Sequence, residues 1–228
     1  MKIALVGYRD WAHSIYNNIT KNSSNEFIRF NSKKEFSEEE IIKFDPELIL
    51  FYGWSWIISD YFVSNYKCLM LHPSPLPKYR GGSPIQNQIL SNIKKTKISA
   101  FKVSENLDSG PICLQYDLSL KGSALDILKR IENKSIQMIK KIINIKDLHF
   151  KKQKGKPSFF KRRKPSESKI NTHKTTTINK LYDFLRMLDA PCYPKAYVKL
   201  NKFKFMFNDI KINKDKINAK VEITKNEK

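Results

Sequence analysis

Three short apolar runs constrain the fold of this chain more than any other feature of its sequence. They are KIALVG at residues 2–7, ELILFY at residues 47–52 and KCLML at residues 67–71. Apolar runs of this length are typical of strands buried on both faces of a parallel sheet. A further short strand is predicted at residues 27–30. Helices are predicted between the strands: near residues 11–20, from Ser37 onward and near residues 57–63. Ser37 and Glu40 have the spacing of a capping box, which marks the start of a helix. This alternation predicts a parallel α/β sheet with helices on both faces.

The second half of the sequence changes character near residue 150. Before it, a helix is predicted at residues 84–90, strands at residues 98–103 and 112–118, and a long helix at residues 124–143. The basic segment KKQKGKPSFFKRRKP, which starts at Lys151, is interpreted as a connector. A helix near residues 177–188 and a hairpin at residues 197–200 and 202–207 follow, and residues 214–228 are expected to fray. We therefore divide the chain into a catalytic domain, residues 1–150, and a small α+β extension, residues 151–228.

The charge of the chain is its most unusual compositional property. There are 43 Lys and Arg residues against 22 Asp and Glu residues, which gives a net charge of +21. Such a protein attracts anions, including phosphate, nucleic acid and anionic lipid. A simpler interpretation is favoured, because Lys, Ile and Asn are all frequent, as expected of an AT-rich coding sequence, and lysine then accumulates on solvated faces. Charge by itself therefore assigns no function.

Membrane insertion, secretion and metal binding are not indicated by the sequence. No apolar run approaches the roughly 20 residues of a membrane span. The N-terminus lacks a signal-peptide pattern, so a cytoplasmic location and no membrane partner are expected. The three cysteines lie far apart and predict neither a disulfide framework nor a metal site. The four histidines form no ligand-spaced cluster, so no metal is expected.

His72 and Asp108 are the candidate catalytic residues. His72 follows a predicted strand directly, and ligands of open parallel sheets gather at the carboxyl ends of strands. Asp108 lies in the turn LDSGPI, between two predicted strands. Histidine exchanges protons near neutral pH, and a carboxylate can orient and polarise its ring. The pattern alone leaves open a structural histidine and an ordinary Asp-Ser-Gly turn.

Two longer strings around these residues strengthen the catalytic hypothesis. HPSPLPKYRGGSPIQ at residues 72–86, followed by LDSGPI at residues 107–112, closely resembles the formyltransferase family that uses 10-formyltetrahydrofolate. The resemblance covers about residues 1–150, and FLRMLDAPCYPKAYV at residues 184–198 matches more loosely. It implies a Rossmann-like sheet and an N-formyltransferase that acts in the cytoplasm.

The resemblance also implies a reaction, in which a primary amine of the acceptor attacks the formyl carbon. His72 would accept the amine proton or stabilise the developing oxyanion, and Asp108 would orient His72 or take the proton through a water. Met70 departs from the family, which usually has an Asn there whose amide donates to the oxyanion. A thioether cannot donate, and the loss of one such donor typically costs about 3–4 kcal/mol. Either another donor substitutes, such as a backbone N–H of the loop, or the chain is a slow or inactive relative.

The folate site follows from the same resemblance. Residues 53–58 correspond to the family's pterin slot, and a flat heterocycle binds between apolar walls. Trp56, Ile57 and Ile58 are therefore the expected folate contacts. Ser104 and Asp108 belong to the loop that would close the other side. The alternative is that the aromatic residues simply begin a core helix.

Members of the family differ in the amine that they formylate. Residues 151–228 are few for the C-terminal barrel of a tRNA enzyme, so a nucleotide-linked dideoxy amino sugar is the favoured acceptor. Ser74, Lys78 and Arg80 are the candidate acceptor-binding residues, and the KRRK run at residues 161–164 supplies further candidate phosphate contacts. In the alternative, Arg80 is structural and the KRRK run is solvated. Sugar-modifying members are often dimers, so a homodimer is left open.

Other functions remain as alternatives. Methionyl-tRNA or glycinamide ribonucleotide would be a different acceptor for the same donor. A non-enzymatic relative that binds RNA or other anions is compatible with Met70 and with the charge, and the lysines and aromatic residues near residues 202–207 resemble a surface for single strands. The favoured interpretation has folate and an amino sugar as partners, and no nucleic acid.

Overall fold

The fold is given by a computed structural model, which describes residues 1–21, 23–171, 173 and 175–225. Its strands are β1 (Lys2–Val6), β2 (Glu26–Phe30), β3 (Leu48–Tyr52), β4 (Cys68–His72), β5 (Arg80–Gly81), β6 (Lys95–Lys102), β7 (Ile112–Ser119), β8 (Phe159–Phe160), β9 (Ala196–Leu200), β10 (Phe203–Asn213) and β11 (Lys216–Lys225). Its α-helices are α1 (Asp10–Thr20), α2 (Glu38–Phe44), α3 (Asp60–Asn65), α4 (Pro84–Leu90), α5 (Ala124–Asn144) and α6 (Ile178–Arg186).

Six of these strands form one sheet in the order β2-β1-β3-β4-β6-β7. The first four are parallel, whereas β6 is antiparallel to β4 and β7 is antiparallel to β6. The predicted α/β sheet is thus confirmed, parallel from β1 to β4 and mixed beyond them. Residues 103–111 are too few for a crossover helix, so β6 and β7 pair as antiparallel neighbours.

Alternating side chains of β1 explain why helices cover both faces of the sheet. Ile3 and Leu5 pack in one hydrophobic cluster with residues of α1, α4 and α5. Ala4 and Val6 pack in a second cluster with residues of α2 and α3. A strand buried on both faces carries few polar residues, which is why β1 and β3 are continuous apolar runs.

One predicted helix on the second face is displaced. The helix expected near residues 57–63 begins at Asp60 instead, where Ser59 precedes an acidic first turn. Both residue types favour a helix N-terminus. Residues 53–59 are consequently a loop at the carboxyl end of β3. None of the helices in the described part of the chain is long and apolar enough to cross a membrane.

The C-terminal sheet contains one more strand than predicted. The helix predicted near residues 177–188 is confirmed as α6, but the predicted hairpin is a three-stranded antiparallel sheet, β11-β10-β9. The expectation that residues 214–225 fray is wrong, because Lys216–Lys225 pairs with β10. Ile217 and Ala219 on β11 also pack against the main cluster. The largely polar sequence of β11 did not indicate this contact. Residues 226–228 of the predicted tail lie outside the described residues.

Buried hydrogen bonds of Arg186 connect α6 to the segment between β7 and α5. Arg186 is 2% exposed, and its Nε donates to Oδ1 of Asp183 at 2.6 Å. Nη1 of Arg186 donates to the carbonyl oxygens of Leu120 and Gly122, both at 2.7 Å, in the segment between β7 and α5. Buried contacts therefore cross the predicted boundary near residue 150, and the division into two domains stays a prediction.

Candidate active site

His72 is the last residue of β4 and is 7% exposed. Its Nε2 lies 2.9 Å from the carbonyl oxygen of Tyr79. A carbonyl oxygen only accepts hydrogen bonds, so Nε2 carries a proton and donates to Tyr79. The other ring nitrogen, Nδ1, faces Asp108.

Asp108 lies in the turn between β6 and β7, where its backbone adopts a left-handed conformation with φ 47°. Its Oδ2 is 3.6 Å from Nδ1 of His72 and accepts a 2.8 Å hydrogen bond from the backbone N–H of Gly81. Both side chains are largely shielded from solvent, which strengthens electrostatic interactions between them. The Asp108 carboxylate can therefore stabilise a proton on Nδ1, while the carbonyl oxygen of Tyr79 accepts from Nε2–H on the opposite side of the ring.

Gln153 joins the two loops that carry this pair. Its Nε2 donates to the carbonyl oxygens of Asp108 and Gly110, both at 2.8 Å, and its Oε1 accepts from Nη2 of Arg80 at 2.7 Å. Burial lowers the pKa of the Arg80 guanidinium, and the Asp108 carboxylate partly offsets that shift. The sequence analysis missed Gln153, because a single amide within a basic segment carries no recognisable pattern.

The basic segment after residue 150 packs against the loop that follows His72. β8 pairs in parallel with β5, and the ring of Phe160 stacks on Tyr79 with centroids 5.0 Å apart. At Gly82 a Cβ atom would lie 2.3 Å from the backbone of Arg162, so only glycine allows this approach. The segment connects the two parts of the chain and also forms part of the wall of the site.

A cavity of about 300 Å³ lies beside His72, at the lower end of the usual range for small-molecule sites. One group of lining residues is uncharged and includes Trp11, Trp54, Met70, Ile98 and Tyr193. A second group is cationic and consists of Arg9, Arg162, Arg163 and Lys164.

Of the four cations that line the cavity, only Arg163 forms an ion pair with a carboxylate in the described part of the chain. Arg163 lies 3.9 Å from Glu167, which partly offsets the lowering of the Arg163 pKa by burial. Within the described ranges, Arg9, Arg162 and Lys164 form no ion pair. These three cations are therefore available to an anionic ligand.

The predicted acceptor-binding residues differ in where they lie. Ser74 is fully buried, Lys78 is exposed, and Arg80 is engaged by Gln153 and lies 5.5 Å from the ring of Phe159. None of the three lines the cavity, whereas Arg162, Arg163 and Lys164 of the KRRK run do.

None of the predicted folate contacts lines the cavity. Trp56 is 36% exposed and packs against Trp54 with ring centroids 4.7 Å apart. Ile57 is 92% exposed, and Ile58 lies in the second hydrophobic cluster. Ser104 occupies the same turn as Asp108, and its hydroxyl forms hydrogen bonds within that turn.

Trp54 was missed by the sequence analysis, although it belongs to the segment assigned to the pterin slot. It lines the cavity, and its indole N–H is buried without an acceptor in the described part of the chain. Apolar and aromatic walls fit a flat heterocyclic ligand such as the pterin of a folate. Met70 also lines the cavity and contributes no donor. Among the described residues, no group of three His, Cys, Asp or Glu side chains is arranged to hold a metal.

Comparison with protein families places most of this chain in known sequence groups. Residues 8–143 match the family described as "Formyl transferase". Residues 165–224 match the family described as "Methionyl-tRNA formyltransferase, C-terminal domain". The first match includes His72 and Asp108 with the strings around them.

Comparisons with individual proteins support the family match. A solved structure, the methionyl-tRNA formyltransferase from Clostridium thermocellum, is 36% identical with a TM-score of 0.93 and covers 99% of this chain and 100% of that one. The methionyl-tRNA formyltransferase of Pseudothermotoga lettingae is 33% identical over 116 residues, 50% of this chain and only 37% of that protein. A 4-N formyltransferase from Francisella tularensis, 18% identical with a TM-score of 0.73, shares the fold over 88% of this chain and 93% of its own. Because the family match spans more than half of its residues, this chain belongs to the formyl transferase family.

Proposed function

We propose that this protein is an N-formyltransferase that transfers the formyl group of 10-formyltetrahydrofolate to the amino group of a nucleotide-linked amino sugar. The observation that carries the proposal is the His72–Asp108 pair beside a cavity whose cations Arg9, Arg162 and Lys164 form no ion pair with the described residues. Formyl transfer to an amine requires a group that takes up a proton. An acceptor that bears phosphate requires cations.

The proposed reaction forms a bond between the acceptor nitrogen and the formyl carbon and breaks the bond from that carbon to N10 of the folate. The bound folate supplies the activated one-carbon unit. The acceptor nitrogen must lose one proton, and we assign the uptake of that proton to the pair of His72 and Asp108, whose side chains lie 3.6 Å apart. His72 then passes a proton to N10 of the leaving tetrahydrofolate and returns to its neutral form.

The surroundings of His72 support this proton transfer. Tyr79 accepts from Nε2–H, which fixes the ring and its tautomer. Asp108 stabilises the imidazolium that forms when Nδ1 gains a proton. The N–H of Gly81 and the amide of Gln153 hold Asp108 and its turn in place. The pair is thus organised before the substrates bind, which reduces the cost of reaching the transition state.

The cavity supports a small acceptor that bears phosphate. Its volume of about 300 Å³ suits a small molecule, and Arg9, Arg162 and Lys164 can bind phosphate through charge-assisted hydrogen bonds. The diphosphate of a nucleotide sugar supplies the matching charge. Two structural neighbours described as a sugar N-formyltransferase and a likely one are 19% and 15% identical, so their likeness supports the fold alone.

Methionyl-tRNA is the second candidate acceptor. Residues 165–224 match the C-terminal domain of methionyl-tRNA formyltransferases. The length of this part of the chain therefore does not exclude a tRNA acceptor. The net charge of +21 also suits RNA. Binding to RNA through phosphate contacts would weaken steeply as salt concentration rises.

The proposal is tested by offering the protein 10-formyltetrahydrofolate with UDP-, GDP- or dTDP-linked amino sugars, or with methionyl-tRNA. Products are identified by the mass of an added formyl group. We expect one amino sugar to be formylated and methionyl-tRNA to remain unchanged. Formylation of methionyl-tRNA alone would transfer the assignment to the second candidate. No formylation at all, combined with salt-sensitive RNA binding, would favour the non-enzymatic alternative.

A further inference from the structure

One face of the C-terminal sheet is apolar, and the rest of the protein covers only part of it. In the register of this sheet, Phe207 on β10 lies between Ala196 on β9 and Val221 on β11. Ala196 is fully buried, and Phe207 packs against the main hydrophobic cluster. Paired residues of antiparallel strands share a face, as do residues two positions apart on one strand. The face that is buried at Phe207 therefore continues along β10 through Phe205 and Phe203.

The outer part of this face is exposed to solvent. Phe205 pairs with Val198 and Ile223, and Phe203 pairs with Leu200 and Lys225. Four apolar side chains of the face are strongly exposed: Phe203 at 46%, Val221 at 47%, Ile223 at 57% and Leu200 at 61%. We call the apolar tip the set of Val198, Leu200, Phe203, Phe205, Val221 and Ile223. A contiguous exposed apolar patch marks an interaction surface, whereas single exposed apolar residues do not.

Four lysines flank the apolar tip: one at the end of its outermost row, one in the turn between β9 and β10, and two paired on the opposite face of the sheet. They are Lys225, Lys202, Lys199 and Lys204. Residues 196–207 contain no carboxylate, and the one carboxylate of residues 221–225, that of Glu222, is held by Lys195 at 2.6 Å. Within the described ranges, none of the four lysines forms an ion pair. The tip thus combines an apolar surface with positive charge that no carboxylate offsets.

We propose that the apolar tip docks this protein on the surface of an anionic lipid bilayer. Its aliphatic and aromatic side chains enter the boundary between headgroups and acyl chains, and the four lysines lie against lipid phosphates. The net charge of +21 adds a long-range attraction towards such a surface. The expectation of no membrane partner rested on the lack of a membrane span, and docking on the surface does not require one.

Two other occupants of the apolar tip fit its chemistry less well. A second copy of this chain would bring lysines of like charge together, which is unfavourable. Single-stranded nucleic acid binds by stacking its bases on aromatic rings. Of the four strongly exposed side chains, only Phe203 is aromatic. The aliphatic side chains at the other three positions suit the hydrocarbon of a bilayer.

Vesicle binding tests the proposal, with vesicles of phosphatidylcholine that either contain or lack phosphatidylglycerol. Ile223→Ser removes apolar surface from the tip. Ile42→Ser is the matched control, because Ile42 is 56% exposed on α2. We expect wild type to float with the anionic vesicles, less so as salt concentration rises, and to bind the neutral vesicles at least ten-fold more weakly. Ile223→Ser should bind the anionic vesicles about ten-fold more weakly than wild type, and Ile42→Ser should stay within about two-fold of it.

A pair of charge reversals tests the lysines and keeps the proposal testable if Ile223→Ser does not fold. Lys202→Glu changes an exposed residue in the turn between β9 and β10. Lys140→Glu makes the same change in net charge at an exposed position of α5. Lys202→Glu should bind anionic vesicles about ten-fold or more less tightly than Lys140→Glu, because each cation near an anionic surface contributes about five-fold in affinity. Circular dichroism checks that the variants are folded.

Four results would overturn the proposal. Wild type could fail to bind anionic vesicles or bind both kinds of vesicle equally. Equal binding by each tip variant and its control would mean that another surface contacts the lipid. A dimer detected by light scattering that Ile223→Ser dissociates, without vesicle binding, would assign the tip to a second copy. Binding of single-stranded RNA that Lys202→Glu abolishes, again without vesicle binding, would assign the tip to nucleic acid.

Discussion

Nδ1 of His72 lies 3.6 Å from Oδ2 of Asp108, although β5, α4 and β6 separate the two residues in sequence. Gly81 holds the carboxylate with a 2.8 Å hydrogen bond, and Tyr79 holds the opposite nitrogen of the ring at 2.9 Å. His72 can therefore gain a proton without a rearrangement of its neighbours. Turnover should depend on this pair more than on any other part of the site.

His72→Ala should lower kcat by about 10²–10⁴-fold, the usual contribution of a general acid or base. The substitution removes the proton acceptor and leaves the aromatic wall of the cavity unchanged, so the affinity for 5-formyltetrahydrofolate should be nearly that of wild type. Calorimetry and single-turnover kinetics on the same preparation check both statements. Full activity in this variant would refute the assigned role of His72.

Gln153→Ala should lower kcat about ten-fold through the position of Asp108, with a smaller effect on the KM for folate. The change removes hydrogen bonds to Asp108, Gly110 and Arg80, each worth about 0.5–1.5 kcal/mol. Gln153→Glu is the informative comparison, because it can still accept from Arg80 but cannot donate to the turn. If both variants retain wild-type kcat, Gln153 does not position the catalytic pair.

The main sheet was predictable because its pattern is local. The apolar runs that became β1, β3 and β4 are continuous, since both faces of those strands are buried. The antiparallel direction of β6 was not predicted, because strand direction depends on tertiary pairing. The third C-terminal strand was missed for a related reason: β11 has a polar sequence and is stabilised by its pairing with β10.

The candidate site was predictable only where its residues lie in recognisable strings. His72 and Asp108 belong to such strings, and the structure brings them together. Gln153 contacts the turn of Asp108, and Arg9 and Trp54 line the cavity. These positions depend on contacts between distant segments, which the spacing of residues in the sequence does not predict. The basic composition after residue 150 suggested a solvated connector, whereas its hydrogen bonds and ring contacts reach the loop after His72.

Arg162→Ala should raise the KM of a phosphate-bearing acceptor about ten-fold or more, because a hydrogen bond to a charged group is worth about 1.5–3 kcal/mol. The KM for 10-formyltetrahydrofolate should change little. Lys156→Ala is a suitable control, since Lys156 is an exposed cation of the same segment that does not line the cavity. Equal acceptor KM values for both variants would show that Arg162 does not bind the acceptor.

Arg186→Met should destabilise the fold by about 1.5–3 kcal/mol or more, because it removes the charged hydrogen bonds of Arg186 to Asp183, Leu120 and Gly122. Asp183 keeps a 3.2 Å ion pair with Lys94. Urea unfolding monitored by circular dichroism measures the change in the free energy of unfolding. Lys97→Met removes an exposed ion pair with Asp117 and should cost less than about 1 kcal/mol. Similar losses in the two variants would mean that the Arg186 contacts do not anchor α6.

Met70→Asn should raise kcat by about ten-fold or more, because it adds a donor for the oxygen on which negative charge develops. Met70 lines the cavity two residues before His72 on β4, and its thioether has no proton to donate. Met70→Leu is the matched control, because it changes the same side chain and adds no donor. Steady-state kinetics of wild type and both variants measure the change in kcat. An unchanged kcat in Met70→Asn would show that another donor, such as a backbone N–H of the loop after His72, already serves.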